Sequence, residues 1–333
     1  MTSREIVQAC LEYRNTGRIP CSFPDPYPHD FGRAGCSLTR TPYRGWEKIA
    51  ENRWEMTDQW GNTWGRVDPT SKGEVTRGAL SDLSKVGEIE LPDYDNPDNY
   101  KSVKEKVEAN RTGEQKYMIG GIPGCVFNIA RKMRKLDQYL MDLVLDREKI
   151  DILHERIAAL MEAAIRNYGT TGIDAIMFAE DWGTQQGLMI SPDMWREVFK
   201  PFFVRLCRTA HEHNLKMMMH SCGRNIDIIP DLIEAGIDVL QFDQPKLYGI
   251  DTLAAFHGQV TFWCPVDIQK TLQTRDSDRI EADAREMVEK MGSGGGGLIA
   301  GYYSDNASIG LDPKWQDIAC KTFLRFGNPD TTG

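Results

Sequence analysis

The stretch "KMMMHSCGRNIDIIPDLIEAG", Lys216 to Gly236, decides the fold. Met217 to Met219 form a short apolar run that is entered from the polar stretch His211 to Asn214 and stops at Gly223, which predicts a buried strand rather than a helix. Residues i and i+2 of a strand share a face, so His220 and Cys222 stand side by side where the run ends. After Gly223 the apolar positions Ile226, Ile229, Leu232 and Ile233 follow helical spacing up to Gly236. Strand, tight turn and helix make one βα unit.

The unit recurs along the second half of the chain. AIMFAED (Ala175 to Asp181), VLQFD (Val239 to Asp243), VTFWCP (Val260 to Pro265) and GLIAGYY (Gly297 to Tyr303) are short apolar runs ending in polar or reactive residues, and KYMIGG (Lys116 to Gly121) supplies an earlier one. Helical patterns lie between them, over Arg147 to Tyr168, Pro192 to about His213, and Ser277 to Met291. Alternating βα units imply a parallel sheet. Six such strands in 333 residues predict an α/β fold, a (β/α)8 TIM barrel with two further strands hidden in an irregular N-terminal extension. The chain reads as a single barrel domain over 1–333, with 1–110 as a lid-like part. Within that part Glu55 to Asp68 resembles a hairpin turning at Gly61-Asn62, and Pro92 to Asn99 has the composition of a surface loop.

A net charge of −9 and a pI near 5.3 argue against nucleic acid and anionic membrane, both of which attract basic patches. No apolar run approaches the roughly 20 residues of a bilayer span, and the start MTSREIVQAC has no signal-peptide core, so a cytoplasmic protein is expected. Homo-oligomerisation is left open. The eight cysteines lack the paired spacing of a secreted scaffold, and Cys10, Cys21, Cys36, Cys125, Cys207 and Cys320 read as reduced packing residues.

In such a barrel the active site forms at the C-terminal ends of the strands. The residues there are Glu180 and Asp181; His220 and Cys222; Asp243 and Gln244; Cys264 and Asp267; Tyr302, Tyr303 and Asp305. Imidazole and thiolate together suit zinc, whose catalytic sites take three protein ligands and leave one position open. For the residues alone, a structural His–Cys pair is the alternative. Cys264 closes its run as Cys222 does and is the expected third metal ligand, with Glu180 the alternative. Glu180, Asp181 and Asp243 offer catalytic carboxylates, and Trp182, Gln244, Trp263, Tyr302 and Tyr303 a substrate-binding wall.

"HSCGRNIDIIPDLIEAGIDVLQ", "FAEDWGTQQGLMISPDMWREVFKP" and "FWCPVDIQKTL" resemble the uroporphyrinogen decarboxylase superfamily, and within it the corrinoid-linked methyltransferases, including methylcobamide:coenzyme M methyltransferases and O-demethylase methyltransferases. The resemblance runs from about Lys116 to Phe326. It implies a TIM barrel, zinc at the H-x-C pair, and methyl transfer to or from a corrinoid (cobalamin) carried by a corrinoid-binding partner protein. The decarboxylase branch carries an N-terminal "MRQAGR", where this chain reads "GRIPCSFPDPYPHDFGRAG"; the coenzyme M branch carries a late cysteine, where this chain reads "IAGYYSDNASIG". The first departure disfavours a tetrapyrrole decarboxylase. The second tilts the expected substrate from a thiol toward an ether or amine. A non-catalytic tetrapyrrole or corrinoid binder on the same barrel is the remaining alternative.

Overall fold

The computed structural model describes residues 1–293 and 295–328. Seven parallel strands run in the order β1 (Phe31–Ala34), β6 (Tyr117–Gly121), β7 (Ala175–Ala179), β8 (Lys216–His220), β9 (Val239–Gln241), β10 (Thr261–Cys264) and β11 (Leu298–Ala300). Residues 20–22 fill the gap between last and first. Cys21 bridges Ala300 in parallel, the Ser22 N–H donates to the Ala300 carbonyl, and the Asp30 N–H donates to the Cys21 carbonyl. Both hidden strands thus lie before residue 35, one reduced to a bridge.

Alternation sorts the side chains into two layers. Phe31, Tyr117, Ile119, Ala175, Met218, Val239, Trp263 and Ile299 pack together inside the ring, joined by Val7 and Cys10 of the first helix, Ser3–Leu11. That helix closes the N-terminal end, where Arg4 pairs with Asp174 at 2.7 Å. The residues between them, such as Met217, Met219, Phe262, Cys264, Leu298 and Ala300, face the surrounding helices. Trp263 stacks on Phe31 across the interior, with centroids 4.4 Å apart.

The helix expected from Pro192 to about His213 is two, Pro192–Val198 and Lys200–Glu212. Pro201 is the cause: it has no N–H for a carbonyl one turn earlier, and its ring obstructs a continuous helix. The helix Ser277–Met291 has the expected bounds, and Gly236, at φ +105°, ends the helix Ile229–Ala235.

The N-terminal part is more regular than expected. β2 (Arg44–Ala50), β3 (Arg53–Thr57), β4 (Thr63–Arg66) and β5 (Glu74–Arg77) form an antiparallel sheet. The expected hairpin is its central pair. Asp58 ties the turn by accepting from the Trp60 and Asn62 N–H groups, the Asn62 amide and the Trp64 indole. Beyond β4, Lys72 reaches the barrel rim and pairs with Asp305 at 3.6 Å. All eight cysteines are free, and no helix among the described residues is long and apolar enough to cross a membrane.

Candidate metal centre at the barrel rim

β7 and β8 pair in register, Ala179 opposite His220, so the residues that follow them emerge together. The two loops then run in backbone contact. The Arg224 N–H donates to the Thr184 carbonyl at 2.7 Å, and a Cβ on Gly223 (φ +74°) would lie 2.0 Å from the Gly183 carbonyl oxygen. Only glycine permits both that torsion and that approach.

This clamp brings Asp181, His220 and Cys222 together, with one ligand atom from each within 4.8 Å of the others. His220 Nε2 is 3.3 Å from Cys222 Sγ and 3.9 Å from Asp181 Oδ1. Zinc bonds of about 2.0–2.3 Å place tetrahedral donors about 3.3–3.8 Å apart, so small side-chain adjustments accommodate the ion. A wider network holds the donors. The Cys222 N–H donates to Asp181 Oδ1 at 3.0 Å, and Arg131 donates to Asp181 Oδ2 at 2.9 Å.

The tautomer of His220 follows from its neighbours. Gln241 donates its amide nitrogen to Asp243 at 2.8 Å, so its oxygen faces His220 Nδ1 and accepts that proton. The lone pair of Nε2 then points to the cluster, as a metal-binding histidine requires. Burial, and then the charges of Asp181 and Asp243, push the Cys222 thiol up to about 12. A divalent cation bound here would answer the neighbouring carboxylates and would turn the thiol into a thiolate ligand.

Asp181 completes the group that could hold a metal, and the two residues expected as third ligand lie elsewhere. Cys264 is fully buried and points, with Phe262, into the helix-facing layer, while Trp263 between them takes the interior. Glu180 is fully buried, and its two oxygens accept from the Cys125 and Asn128 N–H groups. Burial raises its carboxyl to about 8, against the pull of those two N–H groups. Asn128 in turn donates to the Ala179 carbonyl and accepts from Arg131. Glu180 therefore anchors the helix Phe127–Arg134, which presents Arg131 to Asp181.

Trp182, expected on the substrate wall, is sealed among Phe127, Trp195 and Phe199 in the core. Asp267 is likewise buried and accepts from the N–H groups of Lys246, Gln269 and Lys270. The remaining residues do meet at the rim. A cavity of about 430 Å³ is bordered by His220, Cys222, Asp243, Gln244, Tyr303 and Lys72. A second, of about 600 Å³, descends into the barrel past Gln241, Asp243, Trp263, Tyr302 and Tyr303 to Arg33 and His29. Asp243 and Tyr303 border both. Sequence reasoning missed Gln241, Arg131 and Arg33. For Arg33 a signal existed: it lies two residues after Phe31, on the same face of one strand.

The sequence matches the profile of the family Uroporphyrinogen decarboxylase (URO-D) over residues 68–302. The chain belongs to the uroporphyrinogen decarboxylase family. Among solved structures it is similar to a methyltransferase from Methanosarcina mazei, at 15% identity and TM-score 0.66 over 98% of this chain and 99% of that one. A D-psicose 3-epimerase determined in the presence of D-fructose is similar at 11% identity and TM-score 0.42, over 75% of this chain and 88% of that one. No curated protein matches the sequence significantly. The uroporphyrinogen decarboxylase match begins inside the antiparallel sheet's last hairpin and ends at Tyr302, so it includes Asp181, His220 and Cys222 but not Arg33.

Proposed function

We propose that this member of the uroporphyrinogen decarboxylase family is a zinc-dependent methyltransferase that moves a methyl group between a small substrate and a corrinoid on a partner protein. The observation that carries the reading is the grouping of Asp181, His220 and Cys222, with Nε2 of His220 turned to the cluster by Gln241. The fold shared with a methyltransferase supports it. The zinc ligands are Asp181, His220 and Cys222. When bound, zinc supplies Lewis acidity toward the heteroatom that carries or receives the methyl group.

The chain's own groups do the rest. Arg131 holds Asp181 by a 2.9 Å bond, and Gln241 fixes the His220 ring. Asp243, bordering both cavities, is placed to exchange a proton with the substrate heteroatom. Trp263, Tyr302, Tyr303 and Gln244 wall the substrate, and the part before residue 110 shields the rim as a lid on a single barrel domain. One thiolate and one carboxylate make a harder donor set than two thiolates, which favours an ether or amine over a thiol. The open rim is where a corrinoid-binding protein docks. Eight unpaired cysteines support a cytoplasmic setting.

The test is methyl transfer to free cob(I)alamin, followed by cobalt absorption, together with metal analysis of protein purified without chelator. About one zinc per chain and a spectral change with a methyl ether or methylamine are expected. A protein that takes up no zinc and leaves the cobalt spectrum unchanged is not this enzyme, and decarboxylation of a tetrapyrrole is then the next assay.

A further inference from the structure

The peptide group that joins Gly223 to Arg224 is held along both edges. Its N–H donates to the Thr184 carbonyl at 2.7 Å, in the loop after β7, and its carbonyl accepts from the Tyr248 hydroxyl at 2.6 Å, in the segment after β9. A peptide group is planar, so bonds on opposite edges fix its orientation. The loops of three successive strands thus meet at one peptide, immediately behind Cys222.

The surroundings of Tyr248 hold its hydroxyl to this contact. The ring is buried and stacks on Phe242, with centroids 4.5 Å and planes 18° apart, and Phe242 is itself buried against Phe262. The hydroxyl also lies 3.1 Å from Oδ1 of Asn225, a fully buried residue whose amide nitrogen donates to Ser221 Oγ at 2.7 Å. Ser221 in turn donates its N–H to the Gln241 carbonyl. Ser221, Gly223 and Asn225 are buried, whereas Cys222 among them is exposed. The backbone on either side of the cysteine is therefore locked, while its side chain stands at the outer cavity, which Tyr248 also borders. A buried carbonyl that loses its donor is costly and turns toward another partner, and here such a turn would carry Cys222 with it.

We propose that Tyr248 is a positioning residue of the candidate metal group: through the Gly223–Arg224 peptide it sets the place of the Cys222 sulfur before a metal binds. Gln241 sets His220 and Arg131 holds Asp181. Each of the three donors then has its own support, two of them from β9 and the segment that follows it. A preset sulfur removes the cost of ordering the loop on binding, so the hydroxyl adds affinity without touching the ion. The inference rests on the reading of Asp181, His220 and Cys222 as zinc ligands.

The test uses zinc and cobalt(II) as probes. Tyr248→Phe deletes the hydroxyl and keeps the ring on Phe242. Tyr100→Phe is the matching control, because buried Tyr100 also donates to a backbone carbonyl, that of Tyr94 at 2.7 Å, and bonds to none of the three donors. Zinc affinity measured against a competing chelator is expected to fall about tenfold or more in Tyr248→Phe and to keep its wild-type value in Tyr100→Phe. The cobalt–thiolate absorption band is expected to weaken or shift in Tyr248→Phe alone. Wild-type affinity and spectrum in Tyr248→Phe overturn the inference, and so does an equal fall in both variants, which marks a general loss of stability. A measurement on the metal-free wild-type protein serves if the variant does not fold: the Arg224 N–H is expected to exchange slowly with deuterium, and fast exchange that slows only on adding zinc overturns the preset loop. Wild-type protein that takes up neither ion overturns the metal reading and this inference with it, whereas normal uptake with an indifferent Tyr248→Phe overturns this inference alone.

Discussion

His220 and Gln241 lie directly opposite each other in register on β8 and β9, and the imidazole Nδ1–H donates to the Gln241 side-chain oxygen. Position and tautomer of the histidine are thus set by a residue outside the candidate metal group. Gln241→Leu keeps the size but removes the acceptor. Zinc affinity measured against a competing chelator is expected to fall about 10- to 100-fold, while the thermal midpoint changes little. Unchanged affinity would show that the bond to Gln241 does not set the ring.

Asp181 and Cys264 separate the proposed donor set from the expected one. Asp181→Asn and Cys222→Ser are each expected to lose zinc at neutral pH, whereas Cys264→Ser retains it. The cost of Cys264→Ser appears as stability, about 1–3 kcal/mol for a hydroxyl placed in an apolar layer, read from denaturant unfolding. Zinc loss in Cys264→Ser with zinc kept in Asp181→Asn would reverse the assignment.

Gly223→Ala places a methyl group against the Gly183 carbonyl at a positive φ. The loops after β7 and β8 must then part, which moves Asp181 away from Cys222. Expected together are a stability loss of about 1–3 kcal/mol and weakened zinc binding. A variant that unfolds at the wild-type midpoint and binds zinc normally would show that the clamp is dispensable.

His154 is buried against Tyr139, Phe199 and Phe202, and burial holds its imidazole down at about 3 instead of 6.5. The unfolded chain takes up this proton near 6.5, while the folded chain resists until about 3. The stability contributed by neutral His154 is therefore complete above 6.5 and is lost as pH falls toward 3, at up to about 1.4 kcal/mol per pH unit. His154→Gln keeps an acceptor for Tyr139 and removes the titration. Its urea midpoint should depend less steeply on pH between 6.5 and 5 than that of the wild type; identical slopes would place the acid sensitivity elsewhere.

The parallel strands were legible because a strand buried on both faces reads as an apolar run, and KMMMH, AIMFA and TFWC are such runs. The same property hid which residues point inward. All four residues of β10 are buried, so no polar alternation marks Cys264 as outward and Trp263 as inward. Glu180 and Asp181 presented the same ambiguity, and only the backbone N–H groups of Cys125 and Asn128 decide it. Gln241 was invisible as a partner of His220 because register is a relation between strands and leaves no trace in either one. The antiparallel sheet was half seen: β2 alternates weakly, with Trp46 alone partly buried along its length, so little distinguished it from loop.

The helix Ser3–Leu11, with Val7 and Cys10 inside the ring, turns the barrel into a vessel with a single mouth. A small molecule held deep beside Trp263 and a macromolecular reactant seated on the rim cannot pass each other there. Under the proposed methyltransferase reading, binding is then compulsory in sequence: the small molecule first, the large reactant second, and departure in the reverse order. Steady-state kinetics should show the spent small molecule competing with the fresh one, and excess large reactant slowing turnover by trapping spent small molecule beneath it.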